Sequence, residues 1–367
     1  MPADSATTLT LRLAVLGAVL LSGCAAPEKK ATPTEHSPDE RIAYYRARVA
    51  ESPELYPAHA LLGAALFDKA RADHDPALFA AAREALARSL AIQPNYPAMK
   101  SLAAVANYTH RFEDAVGLAR EALAAEPEDQ SLRAMIVEAR LALGQDTEAQ
   151  AVIAEMPDRP DSVYRRIAQG QLHRARDEYD AAEKCFAAAA DSAARLAGHK
   201  KLRLWATIMA AGMMLDSGRI DRARPHLAAA RRLDPGDVEL RIHEAELAAA
   251  TGDREGAYRI YADLARVSGD PALHASAYEQ AHALGRDAEA RAHFAAAERG
   301  FQRALDAGEI YTLEALARLY LAAGVHRTRA ADLARRNLEF KKDRPARALA
   351  HELSAPAQPP SPSLPVL

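Results

Sequence analysis

The sequence predicts an all-α protein built as a solenoid of about eight helix-turn-helix repeats. Hydrophobic residues make up 49% of the 367 residues, whereas aromatic residues make up only 5%, and alanine supplies much of the apolar share. Alanine is the best helix former, and its small side chain lets neighbouring helices pack closely. Apolar helix faces also alternate with Gly-containing turns and with prolines at roughly constant spacing, which is typical of a repeat architecture.

The chain begins with a short apolar run at residues 13–21, which ends just before Cys24. A run this short cannot cross a bilayer, which takes roughly 20 residues, but it matches the apolar core of a secretory signal. The letters LSGC at residues 21–24 resemble the lipobox of bacterial lipoproteins, whose cysteine is acylated and becomes the first mature residue. This resemblance implies a signal peptide over residues 1–23 and a stable lipid anchor of palmitate type on Cys24. An ordinary secretory signal followed by a chance cysteine is the alternative.

The residue after the cysteine bears on which membrane the anchor occupies. Ala25 stands where lipoproteins retained in the inner membrane often have Asp. The resemblance therefore implies a periplasm-facing protein on the bacterial outer membrane, with the outer face of the inner membrane as the alternative.

Segments of low complexity flank the repeats. Residues 25–38 contain three prolines and mixed charges without an apolar period, so residues 24–40 are predicted to be a flexible tether. Residues 354–367 contain five prolines and are predicted to be an extended, disordered tail. A helix at residues 346–353 is expected to cap the stack, so that residues 346–367 comprise the cap and the tail.

The repeats cover residues 41–345 and share one order: an apolar helix, a Gly-containing turn, a helix with alanines at fixed offsets, and a proline. Glycines that should end the first helix in the left-handed conformation recur at Gly144, Gly218, Gly252, Gly285 and Gly324. This pattern resembles the tetratricopeptide repeat (TPR), a unit of about 34 residues. The alternative is a generic alanine-rich bundle.

The TPR resemblance implies a right-handed superhelix in which each repeat buries its apolar face only by stacking on the next. In this family a small residue at the eighth position lets helices A and B of one repeat approach. We assign the eighth position of the successive repeats to Gly63, Ala103, Ile136, Ala168, Ala211, Ala245, Tyr278 and Ala317.

The chain carries no recognisable catalytic motif. Phosphate-binding loops, zinc-binding helices and nucleophile elbows are missing from the sequence, and the thirteen histidines lack ligand spacing. Cys185, beside Phe186 on a helix B, is expected to be a buried and inert thiol. The net charge of −3 gives no electrostatic reason to bind nucleic acid. The sequence therefore predicts a non-enzymatic protein without a cofactor or metal, although a site assembled from distant residues stays open.

The TPR resemblance also implies that helix A of each repeat lines a concave groove. Arginine forks can bind carboxylates bidentately, so an acidic peptide or a chain terminus is an expected ligand. The fifth repeat differs, because its apolar positions either form an anchor pocket or pack against the fourth repeat. The predicted groove residues are Lys100, Asn107, Arg133, Arg140, Arg165, Gln169 and Trp205.

Taken together, these features predict a membrane-anchored scaffold for protein–protein interactions in an envelope assembly or secretion complex. Other envelope proteins or peptides would bind in the groove, and the lipid on Cys24 would hold the protein at the membrane. A periplasmic peptide- or ligand-binding module is the alternative, followed by an enzyme with an unrecognised site.

Overall fold

The computed structural model describes residues 37–354 apart from residues 74, 160 and 197. All the regular elements in this part of the chain are α-helices, and none of them has the length and hydropathy of a bilayer-spanning segment. The predicted signal peptide, Cys24 and most of the predicted tail lie outside the described residues. The helices are α1 (Pro38–Glu51), α2 (Tyr56–Asp73), α3 (Pro76–Ile92), α4 (Tyr96–Tyr108), α5 (Phe112–Ala125), α6 (Gln130–Ala142), α7 (Asp146–Glu155), α8 (Val163–Ala175), α9 (Tyr179–Arg195), α10 (Lys200–Asp216), α11 (Ile220–Leu233), α12 (Val238–Ala250), α13 (Arg254–Ser268), α14 (Pro271–Ala283), α15 (Asp287–Asp306), α16 (Thr312–Ala323), α17 (Arg327–Asn337) and α18 (Arg344–Ser354).

Helices α2 to α17 form eight consecutive antiparallel pairs, and each pair is one repeat. Even-numbered helices are helix A and odd-numbered helices are helix B of their repeat. Most successive A helices contact each other, as α6 and α8 do, so the repeats stack side by side. Helix α1 precedes the stack and α18 follows it. The predicted all-α solenoid of about eight helix pairs is confirmed.

The turn from helix A to helix B has a recurring construction. In the third repeat the N–H of Gln145 donates to the carbonyl of Arg140 at 2.8 Å, which satisfies an otherwise unpaired carbonyl at the helix end. The residue before that donor must be left-handed, and the predicted glycines have φ from 65° to 90°. The second and fourth repeats place His110 and Asp177 there instead, both with φ of 61°, which a search for glycine misses.

Several A helices begin at an Asn or Asp cap. The side chain of Asn95 accepts a hydrogen bond from the N–H of Ala98 at 2.9 Å, and that of Asp237 accepts one from Leu240 at 2.9 Å. Such caps satisfy the unpaired N–H groups of the first turn. They also fix where each helix A starts, and therefore which residue reaches its eighth position.

The eighth position is a close approach between helices A and B in the first repeat, as predicted. A Cβ added at Gly63 would lie 2.5 Å from Cγ of Leu86. In the fourth repeat the equivalent contact lies at Gly170, where a Cβ would lie 3.0 Å from the ring of Phe186. Our assignment of Ala168 to this position was therefore two residues early.

The third repeat shows a smaller shift of the same kind. Val137 packs with the α7 residues Ala149 and Ile153, whereas Ile136 packs toward the second repeat. Val137 thus occupies the eighth position, one residue after our assignment. Both shifts arise because the repeats differ in length. The eighth residue counted from the start of a helix is then not the residue reached by adding a fixed period to the previous repeat.

The superhelix closes on itself at a seam, which we define as the contact between the A–B turns of repeats two to four and residues 308–311 and 341–344. The N–H of Lys342 donates to the carbonyl of Ala142 at 2.7 Å. Arg344 forms an ion pair with Asp177. These contacts join the end of the solenoid to its third and fourth repeats.

Buried charges and aromatic rings reinforce the seam. The carboxylate of Glu309, which is fully buried, binds Arg83 of α3 at 2.6 Å. The ring of Tyr311 lies 5.8 Å from that of Phe79 and 6.4 Å from that of Tyr108. Aromatic pairs at such distances contribute beyond their buried area. The seam is therefore a packed interface.

Candidate functional site

Two of the predicted groove arginines bind backbone carbonyls of the preceding helix B. The guanidinium of Arg133 donates to the carbonyl of Pro127, just after α5. Arg165 donates to Ile153 at 2.9 Å and to Met156, at the end of α7. A cation at a helix C-terminus meets unpaired carbonyls and the negative end of the helix dipole. These forks therefore hold successive repeats together within the chain.

Two further predicted residues also have partners within the chain. Arg140 binds Gln145 and lies 3.6 Å from Glu113. Lys100 donates to Asp129 at 2.6 Å, while Asp129 also caps α6. Burial raises the pKa of Asp129, but hydrogen bonds from Lys100 and its neighbours outweigh burial and lower that pKa to about 2. That these residues bind a partner stays a prediction.

The structure places the remaining predicted residues in different surroundings. Gln169 is half-buried on α8. Trp205 is buried, with its ring centroid 6.3 Å from that of Phe186 in an edge-to-face contact. Trp205 therefore packs against the fourth repeat, which is one of the two alternatives that the sequence allowed; the other was an anchor pocket. Cys185 is a half-buried free thiol whose pKa is raised by burial.

The corrected register brings three polar side chains together on successive A helices. Asn107 of α4, Glu138 of α6 and Gln171 of α8 are 3%, 5% and 4% exposed. The amides of Asn107 and Gln171 both hydrogen-bond to the Glu138 carboxylate. We call these three residues the ladder. Of the three, the sequence analysis identified only Asn107. Counting from the first residues of α6 and α8 places Glu138 and Gln171 at the ninth position of their helices.

The ladder has more hydrogen-bond acceptors than donors. Oδ1 of Asn107, Oε1 of Glu138 and Oε1 of Gln171 accept no hydrogen bond from any residue that the structure describes. A buried polar atom without a partner is costly, so three in one place call for an explanation. Burial raises the pKa of Glu138 to about 7, against smaller opposing effects of Asn107, Arg174 and Gln171.

Replacement of Glu138 by glutamine is expected to stabilise the protein at pH 8. The folded-state pKa of about 7 exceeds the unfolded value of 4.5, so the folded state binds the extra proton and its stability falls as pH rises from about 4.5 through 7. Glutamine removes this dependence and supplies a donor. We expect an increase of about 2 kcal/mol in the free energy of unfolding at pH 8 and little change at pH 5. Urea unfolding at both pH values measures this.

The matched control is Glu121→Gln, on the exposed face of α5. It removes one carboxylate without touching the ladder and should change stability equally at the two pH values. If Glu138→Gln gains no more at pH 8 than at pH 5, the ladder does not hold a strained carboxylate.

A second polar group lies on α12 of the sixth repeat. Nδ1 of His243 is 2.7 Å from Glu246, and its Nε2 is 3.7 Å from Glu239. Burial lowers the pKa of His243, but the two carboxylates outweigh burial and raise it to about 9. Gly212 makes room for this ring, because a Cβ there would lie 2.5 Å from its Cε1. The imidazolium is thus held by its own helix.

The interior brings the first and sixth repeats near each other. Arg71 of α2 lies over the rings of Phe67 and Tyr108, at 5.7 and 5.9 Å. Burial raises the pKa of Glu239 on α12 to about 7, against a smaller lowering by the charge of Arg71. The described residues contain no group of three or more His, Cys, Asp or Glu side chains suited to a metal ion.

Comparison with known families supports the type of repeat. Residues 109–169 and 214–281 match the family model described as tetratricopeptide repeat. These stretches include the A–B turns of the second, third, fifth and sixth repeats, and they end within α8 and α14. The chain therefore contains TPRs in both halves, as the sequence pattern predicted. No curated protein matches its sequence.

Several solved structures are similar in backbone at low identity. A chain of the APC/C hetero-tetramer Cut9–Hcn1 has a TM-score of 0.48 and 16% identity over 89% of this chain and 61% of that chain. Human IFIT1, solved as a dimer with m7Gppp-AAAA, has a TM-score of 0.49 and 14% identity over 83% and 77% of the two chains. A TPR protein from Parabacteroides merdae has a TM-score of 0.37 and 14% identity over 79% and 98%.

Proposed function

We propose that this chain, which contains tetratricopeptide repeats, is a lipid-anchored scaffold for protein–protein interactions in a bacterial envelope assembly or secretion complex. The observation that carries the membrane part of this proposal is the LSGC sequence that ends the apolar run at Cys24. The anchor would lie on the outer membrane with the repeats facing the periplasm. The predicted tether, residues 24–40, would join the lipid to the repeats, and α1 begins within it at Pro38.

The scaffold part of the proposal is supported by the repeats themselves. Eight stacked helix pairs present a long inner layer of A helices, and solenoids of this kind use such extended surfaces to bind partners. The family that the repeats match is chiefly one of interaction modules. We accordingly propose a non-catalytic role, with other envelope proteins or peptides as partners.

Replacement of Cys24 by serine tests the anchor. The unaltered chain is expected to incorporate radiolabelled palmitate in growing cells and to partition into the detergent phase of Triton X-114, because several acyl chains give stable membrane attachment. The Cys24→Ser chain should lose both properties. Cys185→Ser is the matched control, since it removes the only other cysteine and should keep the label.

Cross-linking and affinity capture from membranes then test the scaffold. The anchored chain should capture envelope proteins that the Cys24→Ser chain captures at a lower level. Equal labelling, equal fractionation and identical partners for the two chains would contradict the proposal.

A second candidate function is a binding module for a small or peptide ligand in the interior. The ladder favours it, because three buried acceptors there have no donor among the described residues. Unlike the scaffold, this function does not depend on the lipid at Cys24.

A further inference from the structure

We propose that the ladder of Asn107, Glu138 and Gln171 is a binding site for a primary ammonium group. This inference goes beyond the scaffold role and stands independently of the lipid anchor. It rests on the position, burial and unsatisfied acceptors of three side chains that come from three different repeats.

The ladder holds three unsatisfied acceptors. Both amides hydrogen-bond to one carboxylate, so the three side chains are neighbours on successive A helices. Each of the three residues is at least nine-tenths buried, and the three oxygens accept no hydrogen bond from a described residue. An ammonium group has three N–H donors and no acceptor, so it complements three oxygens.

The charge of Glu138 also favours a cationic ligand. An ionised Glu138 in this setting is a buried carboxylate, whose cost falls when a cation hydrogen-bonds to it. Protonation of Glu138 would remove its charge, but a carboxyl group with a pKa of about 7 is mostly ionised at pH 8. A trapped water would supply donors without offsetting that charge. A cationic hydrogen-bond donor both satisfies the acceptors and offsets the charge of Glu138.

The burial of the ladder also limits the shape of a ligand. The ladder residues are almost fully covered, so only the narrow end of a ligand can reach them. An ammonium group at the end of an unbranched alkyl stem is compact and carries its donors at its tip. The two sources of this chemistry are a lysine side chain of a partner peptide and a free alkylamine.

Arg174 lies one helical turn beyond Gln171, and its charge lowers the pKa of Glu138. It is therefore a cation of this chain that opposes a second cation at the ladder. Arg174→Gln is expected to tighten ammonium binding, which a purely structural ladder would not predict.

Calorimetric titration of the detergent-solubilised full chain at pH 8 is the direct test. The probes are n-butylammonium chloride and Nα-acetyl-lysine N-methylamide, with tetramethylammonium chloride at the same ionic strength as a cation that has no donors. We expect saturable binding of at least one primary ammonium probe and none of tetramethylammonium. Tighter binding of the lysine derivative identifies a peptide source, and tighter binding of butylammonium identifies a free amine.

Glu138→Gln should weaken the binding about tenfold or more, since it removes the charged acceptor. Glu121→Gln should leave it unchanged. Glu138→Gln is expected to fold, because glutamine is isosteric and satisfies the ladder. Binding that survives Glu138→Gln, equal binding of tetramethylammonium, or no binding of either primary ammonium probe overturns the proposal.

The Cys24→Ser chain separates this inference from the scaffold proposal. It should bind ammonium as the anchored chain does, even where it loses the membrane and captures fewer proteins. If Cys24→Ser loses the membrane but still binds ammonium, the result concerns the lipid anchor alone. If the anchored chain stays at the membrane but binds no ammonium, the result concerns the ladder alone.

Discussion

Replacement of Lys341 by methionine lowers the free energy of unfolding by about 3 kcal/mol, the cost of breaking a buried ion pair from one side. Lys341 is 2% exposed at the seam, and its Nζ lies 2.8 Å from Glu314 and 3.4 Å from Asp343. Burial lowers the pKa of Lys341, but these carboxylates outweigh burial and raise it. Because methionine has a volume similar to that of lysine, the loss of stability measures the effect of removing the charge. Urea unfolding at pH 7 measures it.

Removal of the opposing charge provides the control. Arg318 also binds Glu314, at 2.8 Å, so Glu314 keeps one partner in Lys341→Met. The double variant Lys341→Met/Glu314→Gln should regain part of the lost stability, because no buried carboxylate is left facing methionine. At the exposed pair of Arg335 and Asp332, Arg335→Met should change stability by less than about 0.5 kcal/mol. Equal costs at the two sites would contradict a buried ion pair at the seam.

Replacement of Phe79 by alanine is expected to cost about 3–5 kcal/mol, as for other fully buried phenylalanines. The Phe79 ring stacks on Tyr108 at 5.1 Å and meets Tyr311 of the seam at 5.8 Å. The alanine variant leaves a cavity where the first repeats meet the last. Thermal or urea unfolding gives the overall loss.

Phe186→Ala is the matched control, because Phe186 is equally buried but packs against Trp205 and Gly170, which lie outside the seam. Both variants should lose similar global stability. Only Phe79→Ala should speed amide hydrogen exchange in residues 308–311 and 341–344, since only it opens the seam. Equal exchange in the two variants would show that the aromatic contact does not hold the seam closed.

The repeated helix pairs could be predicted because each repeat must satisfy the same local demands. Left-handed glycines such as Gly144 and Gly252 end a helix, and small residues such as Gly63 let two helices touch. These demands are visible in the sequence at short range. The seam was not predicted, because its contacts, such as that of Arg83 with Glu309, join residues 226 positions apart without a local signature.

The candidate site was predicted less well, because a groove position depends on the register of its helix. Asn107 was correctly placed in the inner layer, where the second repeat begins at its Asn95 cap. The assignments in the next two repeats were one and two residues early, so the ninth position was assigned to Val137 instead of Glu138 and to Gln169 instead of Gln171. The Asp129 cap of α6 was the available signal, since it fixes the start of that helix. Sequence alone also could not tell that Arg165 turns toward backbone carbonyls.

The seam changes how this solenoid should fold. An open array of repeats gains stability unit by unit, and its terminal units fray first. Here the hydrogen bond from Lys342 to Ala142 and the ion pair of Arg344 with Asp177 couple the last turns to the third and fourth repeats. Such long-range contacts raise the contact order, which slows folding and makes the ends cooperative with the middle. The protein should therefore unfold cooperatively, in a single transition that begins when the contacts of the seam break.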